Sequence, residues 1–148
     1  MTGKKCRVVY LLFSVITLLI GFVTYYLFRE LSDLIFFRIF GIHIANETIL
    51  LPANIFSNFI KYNLCDGLWI LSGILLLRFI WFNNHKVCQY YVIIFLCIGL
   101  LLEFLQIIES IPGTFDVFDI LTMVSFALLE HSIYFYMIRR RTQWVKNV

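Results

Sequence analysis

The stretch VVYLLFSVITLLIGFVTYYLF, residues 8–28, decides the fold. It contains no charged residue, and at about 1.5 Å of rise per residue it is just long enough to cross a hydrocarbon layer of about 30 Å. A helix apolar on every side suits lipid and cannot be hidden in the core of so small a chain. Lys4, Lys5 and Arg7 precede the run, and it ends in Tyr25, Tyr26, Leu27, Phe28 and Arg29. A cleaved leader has a shorter apolar core and a small-residue cleavage site, so residues 8–28 read as a retained anchor.

Three further runs have the same character. Residues 64–82 are broken only by Asp66 near the start and Arg78 near the end, and they close on Trp81 and Phe82. Residues 87–108 carry Glu103 and Gln106 towards their far end, and residues 118–138 stop at Arg139, Arg140 and Arg141. The expected fold is all-α: a polytopic membrane protein, one domain over residues 1–148, built as a bundle of four transmembrane helices. Composition agrees, with 61% hydrophobic and 14% charged residues where soluble domains carry about 25% charged. The net charge of +3 is too small a surplus to indicate nucleic acid as a partner.

Residues 29–63 are too long for a simple connector and are rich in Phe and Ile. They read as an outer loop lying on the membrane, with Leu34–Ile44 as an interfacial segment and Pro52 opening a short helix over Ala53–Tyr62. Asn46-Glu47-Thr48 matches a glycosylation acceptor, a tripeptide that also arises often by chance. Lys and Arg gather on the cytoplasmic side of membrane proteins. Of the 12 here, nine fall on the side of both termini (Lys4, Lys5, Arg7, Arg78, Lys86, Arg139, Arg140, Arg141 and Lys146) and three (Arg29, Arg38 and Lys61) on the other. This distribution predicts a multi-pass protein of the cell membrane with both termini cytoplasmic.

Carboxylates within spans cost a few kcal/mol on insertion scales, so each needs a partner or a purpose. In the four-span arrangement Asp66, Glu103, Gln106, Asp116 and Asp119 reach one depth, at the outer interface, although they come from three spans. Glu103 and Gln106 are three residues apart and share a helix face. Asp119 and Glu130, eleven apart, point within about 20 degrees of each other, and Thr122 lies on the same seam. The plainer alternatives are helix capping by Asp116 or Asp119 after the Pro112-Gly113 reversal, and interhelical hydrogen bonding by Glu103 and Gln106. Glu130 with His131, deeper in the last span, reads as a proton relay or a structural pair. Trp69 stands three residues after Asp66, although Trp and Tyr near span ends serve first as interfacial anchors.

Cys6, Cys65, Cys88 and Cys97 form no C-x-x-C pair and have no His at metal-ligand spacing, so zinc, haem and thioredoxin-like chemistry are not indicated. No resident cofactor is expected. A divalent cation bridging the acids to a phosphate would be chemically suited to the oxygen ligands of Asp66, Glu103, Asp116 and Asp119.

The sequences D-G-L-W at Asp66–Trp69, E-F-L-Q at Glu103–Gln106 and P-G-T-F-D-V-F-D at Pro112–Asp119 together resemble the VanZ-like family of small integral membrane proteins. The resemblance covers roughly Asn63–Tyr136. It implies a bacterial cell-envelope protein; the founding member is linked to glycopeptide antibiotic resistance, and no biochemical activity is settled for the family. This chain has Gly113-Thr114 where many relatives carry Arg, and Ser125-Phe126-Ala127 where they carry Gly.

The leading functional expectation is therefore a protein whose outward carboxylate and amide cluster binds a polar head group, such as that of a cell-wall or lipid-linked precursor, with Asp66, Trp69, Glu103, Gln106, Asp116 and Asp119 as candidate ligand-binding residues. A hydrolase or transferase using a carboxylate base is the enzymatic alternative. The chain has no nucleophile elbow and no His-Glu zinc helix to support it. A structural subunit of a membrane complex is the third reading, and transport by four spans without a repeat is the weakest.

Overall fold

The computed structural model describes residues 3–30, 40–42, 47–50, 52, 54–108 and 115–146, with only the backbone of 3–5 and 138–146. The described residues form helices and connecting turns, with no strand among them. Four long helices follow one another: α1 (Gly3–Phe28), α2 (Ile55–Ile80), α3 (His85–Ile107) and α4 (Val117–Lys146). All four contain a stretch long and apolar enough to cross a membrane. In lipid the backbone must satisfy its own hydrogen bonds, which favours helix even for segments as rich in β-branched residues as α1.

The second span begins earlier than its sequence suggests. Asn54 caps it by accepting a hydrogen bond from the Ser57 amide at 2.8 Å, and the helix runs unbroken from Ile55 through the region read as part of the outer loop. The short helix expected after Pro52 is thus the first part of α2. Polar Asn58, Lys61 and Asn63 disguise it, and Phe59–Asn63 adopt π-helical geometry, with the Leu64 amide bonded to the Phe59 carbonyl. A π-stretch inserts an extra residue in the turn, and such insertions recur at functional sites. At its other end α4 passes through Arg139–Arg141 to Lys146, because basic residues form helix well and suit a helix C-terminus. The expected interfacial segment Leu34–Ile44, Asn46 of the acceptor tripeptide and the Pro112-Gly113 turn lie wholly or mostly outside the described residues. Beyond them the chain returns to α1, where the Ile49 amide bonds the Leu27 carbonyl at 2.7 Å.

α2 is the helix on which α1, α3 and α4 all pack. α1 lies antiparallel to it along a seam of small and polar residues. Ser14 and Ser72 exchange reciprocal bonds, each hydroxyl donating to the other residue's carbonyl at 2.9 Å. Gly21 admits the Trp69 indole, whose Cδ1 would stand 2.6 Å from any added Cβ. Close packing and interhelical hydrogen bonds hold helices together where lipid removes the hydrophobic incentive. On the other side, Ile70 and Ile74 of α2, Cys88 and Val92 of α3, and Met123 and Ala127 of α4 form the apolar core. At Gly67 a Cβ would lie 2.6 Å from Thr122 Cγ2 and 2.9 Å from Phe126, so the missing side chain lets α4 approach α2. The outer faces carry exposed Leu12, Leu19, Ile93, Leu101 and Leu128, a lipid-facing surface.

Candidate functional site

The expected polar residues do meet, at the end of the bundle away from both termini. Asp116 sits just ahead of α4 and caps it, its Oδ1 accepting from the Phe118 amide at 2.9 Å. Its other oxygen faces Asn63, whose side-chain amide donates to Asp116 Oδ2 at 3.2 Å and to Asp119 Oδ1 at 2.7 Å. The capping role is therefore real and does not exclude the second contact. Asn63, by sequence the last residue of the outer loop, is 5% exposed and closes the π-stretch.

One turn further along α2, the Asp66 carboxyl lies within electrostatic reach of that of Asp119. From α3, Glu103 lies within electrostatic reach of Asp66, Asp116 and Asp119. Glu103 Oε1 accepts from the Gln106 amide at 3.1 Å, the face-sharing contact expected from their spacing. Its Oε2 is buried with no partner among the described residues, and the residue as a whole is 8% exposed. An unsatisfied buried acceptor costs about 1–3 kcal/mol, more than a purely structural pair would tolerate at no benefit.

Arg29, just beyond α1, supplies positive charge to this group. Its field acts on Asp66, Glu103 and Asp119, and its guanidinium lies 4.8 Å from the Tyr25 ring centroid. Burial opposes its charge, but Tyr25, Cys65 and Asp66 outweigh that effect and raise its pKa above the ordinary value. Sequence reasoning missed Arg29, which looked like a boundary marker, and Asn63, whose three-residue spacing from Asp66 was the available clue.

Trp69 is placed differently from the other candidates. It occupies the α1–α2 seam, stacked on Tyr25 with centroids 6.0 Å apart, and its Nε1 is buried with no partner among the described residues. Among the described residues no group of three His, Cys, Asp or Glu side chains is arranged to hold a metal ion. The bridging cation considered from sequence therefore gains no support from the geometry.

A second buried polar group lies towards the other end. Arg78 of α2 and Glu130 of α4 form a two-pronged ion pair, Nε to Oε1 and Nη2 to Oε2 both at 3.0 Å. Arg78 also donates to Cys88 Sγ at 3.5 Å and lies 3.5 Å from the Tyr134 ring centroid, while the Tyr134 hydroxyl bonds His85 Nδ1. Glu130 thus pairs with Arg78 and not with its neighbour His131, which is exposed and stacks on Phe135. The polar seam on α4 is divided in the same way, because Thr122 donates to its own helix at the Phe118 carbonyl, 2.7 Å away.

The chain matches no protein-family model, no curated protein and no solved structure.

Proposed function

We propose that this multi-pass protein belongs to a bacterial cell envelope and holds a polar head group in the cluster of Asn63, Asp66, Glu103, Gln106, Asp116 and Asp119. The observation that carries the proposal is Glu103 Oε2, an acceptor buried near other acids and left without a donor among the described residues. A cluster serving only to join helices would be expected to close on itself, because each open buried acceptor detracts from stability. The site is also shallow enough for a head group: Glu103 stands four residues before the end of α3, about 6 Å along the helix axis. The resemblance to VanZ-like proteins through Asp66–Trp69, Glu103–Gln106 and Pro112–Asp119 agrees with this reading.

Replacing Glu103 with Ala should impair cell-envelope integrity, read as sensitivity to wall-directed antibiotics or detergents, while membrane-inserted protein stays at its normal level. An unaltered envelope at normal protein level would refute the proposal, and a matching loss of folded protein would favour the structural reading. The excess of basic residues at the other end supports an orientation with both termini in the cytoplasm and the cluster outside. A phosphatase reporter that works only outside the cytoplasm should accordingly be inactive when fused after Val148. Activity there would invert the orientation.

One observation favours a second reading. The Asp66 and Asp119 carboxyls lie within electrostatic reach of each other, and paired carboxyls can act as acid and base. Turnover of a lipid-linked wall precursor by the purified protein, abolished in Asp119→Asn, would establish that alternative.

A further inference from the structure

We propose that the cluster selects a ligand carrying a primary ammonium group, which donates N–H bonds to Glu103 Oε2 and to its neighbouring carboxyls; this rests on the head-group reading above. Hydrogen-bond capacity points the same way as charge. The Asn63 amide is already committed to Asp116 and Asp119, and the Gln106 amide donates to Glu103 Oε1. What remains open among the described residues is an acceptor, Glu103 Oε2, on a residue more than nine-tenths buried. A ligand seated there must bring a donor.

The charge balance narrows the class of donor. Asp66, Glu103, Asp116 and Asp119 bring four carboxyls into electrostatic reach of one another. Among the described residues, Arg29 is the cation whose field reaches Asp66, Glu103 and Asp119. The four carboxyls outnumber it, so the cluster leans to negative charge. A phosphate or carboxylate entering first would add to it, and a neutral hydroxyl would satisfy the acceptor without offsetting the charge. A quaternary ammonium offers charge without N–H donors, and no metal-holding group of acids is present among the described residues. A primary ammonium meets both requirements, because charge-assisted hydrogen bonds to carboxylates are the stronger kind.

Such a group can come from a lipid such as phosphatidylethanolamine or from a free amine. The full-length protein, purified in detergent, is exposed to equal amounts of phosphatidylethanolamine, phosphatidylcholine and phosphatidylglycerol, and bound lipid is counted by native mass spectrometry. Thermal-shift titration with free ethanolamine forms the soluble arm. The expected result is retention of phosphatidylethanolamine over phosphatidylcholine by on the order of tenfold, lost in Glu103→Gln. That variant keeps an oxygen for Gln106, and its melting temperature reports whether it folds. A thermal shift with ethanolamine, abolished by Glu103→Gln and without lipid preference, would support the ammonium class and assign it to a soluble source. Equal retention of the two zwitterionic lipids without an ethanolamine shift, or a preference for phosphatidylglycerol lost in Glu103→Gln, would overturn the ammonium class while leaving a head-group site in place. No Glu103-dependent retention of any lipid and no ethanolamine shift would overturn both.

Discussion

Replacing Glu130 with Ala is expected to destabilise the protein by about 3–5 kcal/mol, the usual consequence of removing one partner from a buried ion pair. Arg78 is 1% exposed, and without Glu130 its guanidinium would retain only the Cys88 sulfur and the Tyr134 ring around it. Neither neutralises its charge. The same pair ties the later turns of α2 to those of α4, so the loss should be felt as helix separation as well as desolvation. Arg78→Met combined with Glu130→Met should recover most of the stability, since an apolar pair of similar volume replaces the ion pair without burying charge. Thermal unfolding in detergent, followed by helical circular dichroism or monodispersity, distinguishes these outcomes. If the single Glu130→Ala variant melts like the parent protein, the pair is not the fastening described above.

At the opposite end, Asp119→Ala and Asp119→Asn should separate folding from function. Ala removes the acceptor for Asn63 and the partner of Asp66, leaving buried polar groups unsatisfied at about 1–3 kcal/mol each. Asn retains an oxygen for the Asn63 amide, 2.7 Å away in the parent, and can donate an N–H towards Asp66. Stability should therefore fall in Asp119→Ala and be largely preserved in Asp119→Asn. Both should impair the envelope phenotype, because Asn removes the negative charge. Parallel measurement of melting temperature and antibiotic sensitivity decides the matter. Full function in a stable Asp119→Asn protein would reduce the residue to a structural contact.

The four spans were legible because lipid imposes a simple demand on composition: a run such as residues 8–28 has no other environment to occupy. The start of α2 was not, since Asn58, Lys61 and Asn63 look like loop residues and a π-stretch follows no period that a helical pattern search detects. Convergence of Asp66, Glu103, Gln106 and Asp119 could be read from depth alone, given up-and-down spans. The contribution of Asn63 depended on that hidden half-turn, and that of Arg29 on the path of the chain after α1. Arg78 and Glu130 were each noticed, but separately. Arg78 was counted with the cytoplasmic basic residues, and Glu130 was paired with its neighbour His131. Their bond joins residues 52 apart, and no local spacing rule announces it. The eleven-residue relation between Asp119 and Glu130 holds geometrically, yet at their separate depths the two acids find different partners.

The convergence of polar side chains from α2 and α4 is tested most directly by chemical cross-linking in membranes. In a background free of the four native cysteines, Asn63→Cys with Asp119→Cys is treated with a short bifunctional thiol reagent, and Ser14→Cys with Ser72→Cys serves as the reference pair along the α1–α2 seam. Rapid, near-complete intramolecular cross-linking of both pairs is the predicted result. Efficient cross-linking of the reference pair with none between residues 63 and 119 would place those side chains apart and contradict the polar site.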